Sequence, residues 1–180
     1  ESPVNLAISL HATDDALPAW VGESLDALVA HGLLSYDADR ALYSIHELLA
    51  PVARGVFHYA GEQDQDAVAL LEVVRSRHAG HYLRVGGAAN ERYLEGGEGV
   101  LEGLRAFDAI LPHLEAAWQY WVGREEAAEW VSSFGDSMTF LLDLRLPPRR
   151  LVAILEGALA AARRLEDREA EGIHLGNLGA

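Results

Sequence analysis

The chain has 180 residues, half of them hydrophobic, with no cysteine and a formal net charge of −14. That composition suits a folded protein with a sizeable core and excludes disulfides and cysteine-based zinc sites. All 14 basic residues are arginine, so the chain contains no Gly-Lys-Ser/Thr phosphate loop, no Schiff-base lysine and no lysine general base.

Acid excess is spread along the chain. Residues 1–62 carry nine acids and two bases, and residues 63–180 carry nineteen acids and twelve bases. Neither part is a basic footprint for nucleic acid or anionic lipid. No apolar run approaches the ~18 residues of a membrane span. The N-terminus has no basic segment leading into an apolar stretch of the kind a secretory signal needs. The expected compartment is therefore the cytoplasm.

In chain order, Asn5 to Ala12 are apolar with few polar breaks and predict a helix. Thr13-Asp14-Asp15 reads as an N-cap with acids in the first turn, followed by Pro18. A third helix, from about Gly22 to His31, places Leu25, Leu28 and Val29 on one face, and Gly32 is suited to end it. Leu33 to Tyr36 predicts a strand, Asp37 to Arg40 a polar turn, and Ala41 to Ile45 a returning strand. A helix is expected from His46 to about Tyr59, with Leu49, Val52, Ala53, Val56 and Phe57 on one face. Gly61 to Asp66 then forms a polar linker.

Everything further predicts helix. Ala67, Leu70, Leu71, Val74, His78, Tyr82 and Val85 form an apolar stripe. Gly86-Gly87 should weaken that helix, which ends by Gly96-Gly97. The next runs from about Glu98 to Val122, and Pro112 should kink or split it. Glu125 to Leu144 predicts one amphipathic helix containing Trp130, Phe134, Met138 and Leu141. Pro147-Pro148 opens another, Arg149 to Leu165, and Asp167 is a cap for a last helix. Short connections imply antiparallel neighbours. The expected fold is mostly α: a winged helix-turn-helix with a small β wing over residues 1–62, then an antiparallel, tetratricopeptide-like helical array over residues 63–180.

Several of these stretches carry a likeness. Leu25 to Leu34 followed by Tyr43-Ser44-Ile45-His46-Glu47-Leu48 resembles the winged-helix domain of STAND signalling ATPases, the NB-ARC or apoptotic-ATPase relatives. Arg77-His78-Ala79-Gly80-His81-Tyr82 resembles the linker helix of their bacterial members, and Phe107 to Trp121 the helix before their repeats. Arg164 to Gly172 with Leu175-Gly176-Asn177-Leu178-Gly179 resembles the start of a tetratricopeptide unit. The resemblance implies an upstream nucleotide-binding domain as partner and ADP or ATP as the parent protein's nucleotide, with no cofactor held by this segment alone. It also implies a helical-repeat sensor for a protein or small ligand. The family's winged helix usually ends in Met-His-Asp, and here the triplet is Ile45-His46-Glu47. By resemblance, His46 would contact the nucleotide's terminal diphosphate and help hold a resting state. One tetratricopeptide start is visible, and the helices before it do not keep a 34-residue period.

Each candidate has a plain alternative. An imidazole titrates near neutrality and can donate to a phosphate; the alternative is that His46 caps its helix or fills a gap beside the wing. The candidate recognition helix carries Glu23 and Asp26 and no arginine, which repels phosphates. His78 and His81 have metal-ligand spacing, yet no third ligand is placed and His78 lies in the apolar stripe. Glu171-Gly172-Ile173-His174 is a single Glu-x-x-His, short of a di-iron set. Glu125, Glu126 and Glu129 read as a solvated helix start. Trp118, Tyr120, Trp121 and Trp130 read as packing between helices, with an aromatic ligand pocket as the alternative. The leading expectation is a non-enzymatic regulatory arm of a STAND-type ATPase. A winged-helix transcription regulator with a helical effector domain is the alternative.

Overall fold

In the computed structural model, residues 7–8, 19–38, 42–45, 48–49, 51–52, 55 and 65–179 are described. The chain divides into two compact units, Glu1–Leu71 and Glu72–Ala180. It is mostly helical with a small antiparallel sheet.

In the first unit, β1 (Ala7–Ile8), α1 (Ala19–Ala30), β2 (Leu34–Asp37) and β3 (Leu42–Ile45) follow one another. The sheet order is β1-β3-β2, with Ala7 opposite Ser44 and Ser35 opposite Ser44 on the other side. The helix expected over Asn5 to Ala12 is thus corrected. Ala7 and Ile8 are extended because β3 offers them an edge, a non-local partner that an apolar run does not reveal. The cap expected at Thr13 to Asp15 lies outside the described residues. The β2–β3 hairpin pairs Tyr36 with Tyr43, their rings 4.6 Å apart, an aromatic cross-strand contact.

Gly32 ends α1 as expected. Its φ is +70°, its N–H reaches the Val29 carbonyl, and the Leu33 N–H reaches Leu28. This is the paired 5→2 and 6→1 closure that satisfies the last free carbonyls of a helix.

The second unit holds α2 (Gln65–Leu94) from Glu72 onward, then α3 (Glu98–Trp121), a 3-10 turn at Glu125–Ala127, α4 (Ala128–Ser137), α5 (Thr139–Arg145), α6 (Pro148–Arg164) and α7 (Arg168–Gly179). Gly86-Gly87 does not interrupt α2. A side chain at Gly86 would collide with Met138 and crowd Leu114, and Gly87 faces Ser137. The glycines therefore mark a close crossing, whose packing outweighs their low helix propensity. Pro112 likewise lies inside an unsplit α3. It withholds one N–H from the ladder, and burial of His113, Leu114, Ala117 and Trp118 just beyond it holds the helix together.

The single helix expected over Glu125 to Leu144 is the clearest correction. It breaks at Met138, where φ is −130° and ψ 16°. Three contacts account for the break. The Met138 side chain is fully buried beside Gly86. The Thr139 hydroxyl donates back to the carbonyls of Gly135 and Asp136 at 2.7 and 3.0 Å. The Leu141 N–H donates to the Asn90 side-chain oxygen at 3.3 Å, so α2 caps α5 across the fold.

Contact pairs give the helix directions. His78 meets His113 and Arg92 meets Glu102, so α2 and α3 are antiparallel. Gly80 lies under Trp130 and Gly87 beside Ser137, so α2 and α4 run the same way. Ser132 of α4 meets His174, and Thr139, at the start of α5, meets Asn177, so the chain through α4 into α5 also runs along α7. The core of this unit centres on Phe107, Leu114, Trp118, Phe134, Met138, Leu141, Leu142 and Leu155.

Candidate functional site

His46, the residue singled out from the sequence, lies outside the described residues, as does Glu47. Ile45, at the end of β3, is half-buried and pairs with Leu34. On α1, Glu23 and Asp26 are exposed. That helix therefore presents carboxylates to solvent.

The principal cluster of chemically active side chains in the second unit joins α2 to α3. His78 and His81 are three residues apart on α2 and Tyr82 follows them. The antiparallel return of α3 carries His113 to the same level. His78 Nε2 and His113 Nδ1 are 3.2 Å apart, so one ring supplies an N–H and the other a lone pair. Tyr82 stacks flat on His113 with centroids 4.2 Å apart and planes 2° from parallel. His81 and Tyr82 pack edge to face, their centroids 5.0 Å apart.

Burial sets the electrostatics. Removal from water pushes His113 down to about 4, helped by the nearby rings of His78 and His81. The same burial, with His81 beside it, lowers His78. Both rings are therefore neutral at pH 7, and their contact depends on that neutrality. The sequence placed no third partner beside His78 and His81. His113 is that partner spatially, though among the described residues no group of three or more His, Cys, Asp or Glu side chains is arranged to hold a metal ion. A signal for His113 was present in the pattern. It stands on the apolar face with Ile110, Leu114 and Ala117, where a polar residue needs a partner.

A second polar group joins the same two helices about two turns away, toward the start of α2 and the end of α3. Tyr120 donates to Glu72 Oε2 at 3.1 Å, and Arg124 pairs with the same carboxylate at 3.0 Å. The Arg124 guanidinium also lies 4.2 Å above the Tyr120 ring, a cation–π contact. Burial raises Glu72, but the Tyr120 hydroxyl and the Arg124 and Arg75 charges outweigh it and hold the carboxyl below its ordinary value. Of the four aromatic residues expected between helices, Trp118 and Trp121 are in the core. Trp130 stacks on Trp121 at 5.1 Å but leaves 42% of its surface exposed.

The third polar contact is fully internal. Ser132 on α4 and His174 on α7 meet at 3.1 Å, Oγ to Nε2. Neither residue was paired from the sequence, because the two positions are 42 residues apart. None of these three groups combines an accessible nucleophile, a base and an orienting acid. They are polar contacts between helices. No family model, curated protein or solved structure matches the chain.

Proposed function

We propose that the chain is a non-catalytic regulatory segment of a STAND-type signalling ATPase, in which a nucleotide-sensing winged helix is coupled to a helical-repeat sensor. In this reading residues 1–62, within the unit Glu1–Leu71, are the winged helix. The strand order β1-β3-β2, with α1 between β1 and β2 in the chain, supports it, since a winged helix would contain a wing hairpin whose second strand also pairs with a short upstream strand. His46, immediately after β3, would face ADP held mainly by an upstream nucleotide-binding domain.

The observation that carries the repeat part of the reading is the direction of three helices. α2, α4 and α7 run the same way and contact one another in sequence, with α3 and α6 as the return helices. Helical hairpins stacked so that each touches its neighbours build an extended array with a surface suited to a protein or small-ligand partner. The irregular spacing of α2, α4 and α7 along the chain fits a linker region leading into regular tetratricopeptide units. The exposed carboxylates of α1 argue against the transcription-regulator reading.

The test is ADP retention by the full-length protein with and without His46→Ala. A hydrogen bond to a charged phosphate contributes about 1.5–3 kcal/mol, so loss of the imidazole is expected to weaken retention by roughly 10- to 100-fold. Unchanged retention would remove the sensor role. A gene encoding no nucleotide-binding domain ahead of Glu1 would remove the reading altogether, and a salt-sensitive shift of duplex DNA by the chain would favour the transcription regulator.

A further inference from the structure

The last helix is attached in an unusual way. α7 buries one residue completely, and that residue is His174. Apolar side chains on the same helix, Ile173 and Leu175, are 39% and 48% exposed. The ring is held on one side only. Nε2 meets the Ser132 hydroxyl, while the buried Nδ1 has no hydrogen-bond partner. Gly135 makes the space for the ring: a side chain there would stand 3.4 Å from its Cε1 and 2.6 Å from Ala158. Ring, hydroxyl and glycine thus form one fitted contact among α4, α6 and α7.

We propose that this contact is a proton-operated latch, in which neutral His174 docks α7 against α4 and proton uptake by the ring releases α7 while α2 to α6 stay folded. A protonated ring carries two N–H donors. In the docked position Ser132 can serve one of them, and the other would be a buried cationic donor without an acceptor, which is costly. In water the ring titrates near 6.5. The groups that act on it in the docked state are Ser132 and Asp136 on α4 and Asp167 at the head of α7; of the other polar groups nearby in sequence on these elements, Thr139 on α5 binds Asn177, and Glu171 on α7 is engaged by Arg163 and Arg168. Asp136 and Asp167 favour the charged ring, but burial outweighs them and lowers its affinity for the proton. Released α7 binds the proton more tightly than docked α7, so acid favours release. A free helix of 12 residues is marginal in water, so release also unfolds it.

Amide hydrogen exchange resolved by helix, between pH 7 and 5 and corrected for intrinsic rates, tests the latch. Protection over Arg168–Gly179 is expected to fall below pH 6.5, by up to about tenfold at pH 5.5, while α3 and α6 keep theirs. His174→Gln, which cannot titrate in this range, is expected to remove that pH dependence. Wild-type protection of α7 that is flat to pH 5, or that falls equally in His174→Gln, would overturn the proposal. So would loss of α7 only together with α3. Should His174→Gln leave α7 unprotected at pH 7, the NMR titration of wild-type His174 decides: a midpoint below 6.5 that coincides with loss of α7 protection supports the latch, and a midpoint at or above 6.5 with α7 still protected overturns it.

Discussion

Two helix ends compare the same backbone device with different residues. α1 closes on Gly32 at φ +70°, and α6 closes on Glu166 at φ +57°. At the second, the Glu166 N–H reaches Arg163 and the Asp167 N–H reaches Ala162, the same paired closure as at Gly32. A glutamate in the left-handed region costs about 1 kcal/mol that glycine avoids. Glu166→Gly should therefore raise the stability of the second unit by roughly 0.5–1 kcal/mol, read as a higher urea midpoint with unchanged slope. Asn90 gives the opposite case. It is 95% removed from solvent and its side-chain oxygen takes the Leu141 N–H. Asn90→Leu keeps the branched shape of the side chain but leaves that amide unpaired, and a loss of about 1–3 kcal/mol is expected in the same measurement. An unchanged midpoint in Asn90→Leu would mean that α5 does not depend on this cap.

At the scale of elements, close approach of backbones decides where helices cross. A side chain added at Gly103 would stand 2.6 Å from the Ala89 carbonyl oxygen and 2.7 Å from the Tyr93 nitrogen. These are backbone atoms and cannot rotate away. Gly103→Ala gains helix propensity of about 1 kcal/mol but must separate α2 from α3. The net effect is expected to be destabilising, by about 1–3 kcal/mol, with a lower melting temperature as the readout. A melting temperature equal to or above wild type would show that the hairpin can open at no cost. Surface ion pairs between helices, such as Arg92 of α2 with Glu102 of α3 and Arg145 of α5 with Asp108 of α3, contribute little by comparison because both partners are solvated.

Across the second unit, acid sensitivity follows from the buried imidazoles. His113 binds its proton at about 4 in the folded chain and near 6.5 when unfolded. The unfolded state therefore takes up the proton first as pH falls. Stability is full above about 6.5 and is lost as pH drops toward 4, by up to about 3 kcal/mol for this ring. His78, also lowered by burial, acts in the same direction. Urea unfolding at pH 7, 5.5 and 4.5 is expected to show a falling midpoint, and His113→Gln to flatten part of that slope. A midpoint independent of pH over this interval would mean that the contact at His78 persists with a charged ring.

Local signals in the sequence carried the helical class, the α1–β2–β3 order, the Gly32 stop, the Pro147-Pro148 start and the Asp167 cap, whose carboxylate takes the N–H groups of Glu169 and Ala170. Each depends on residues within one or two turns of each other. What failed was non-local. The strand at Ala7–Ile8 exists because β3 pairs with it, α2 continues through Gly86-Gly87 because Met138 fits there, and the Glu125 to Leu144 helix breaks because Asn90 and Gly86 meet it from another helix. The polar sites divide in the same way. His78 and His81 could be picked out by spacing on one helix, but their partner His113 and the Ser132–His174 contact could not. A one-dimensional pattern records which face of a helix is apolar, and only packing decides which residue of a second helix stands opposite.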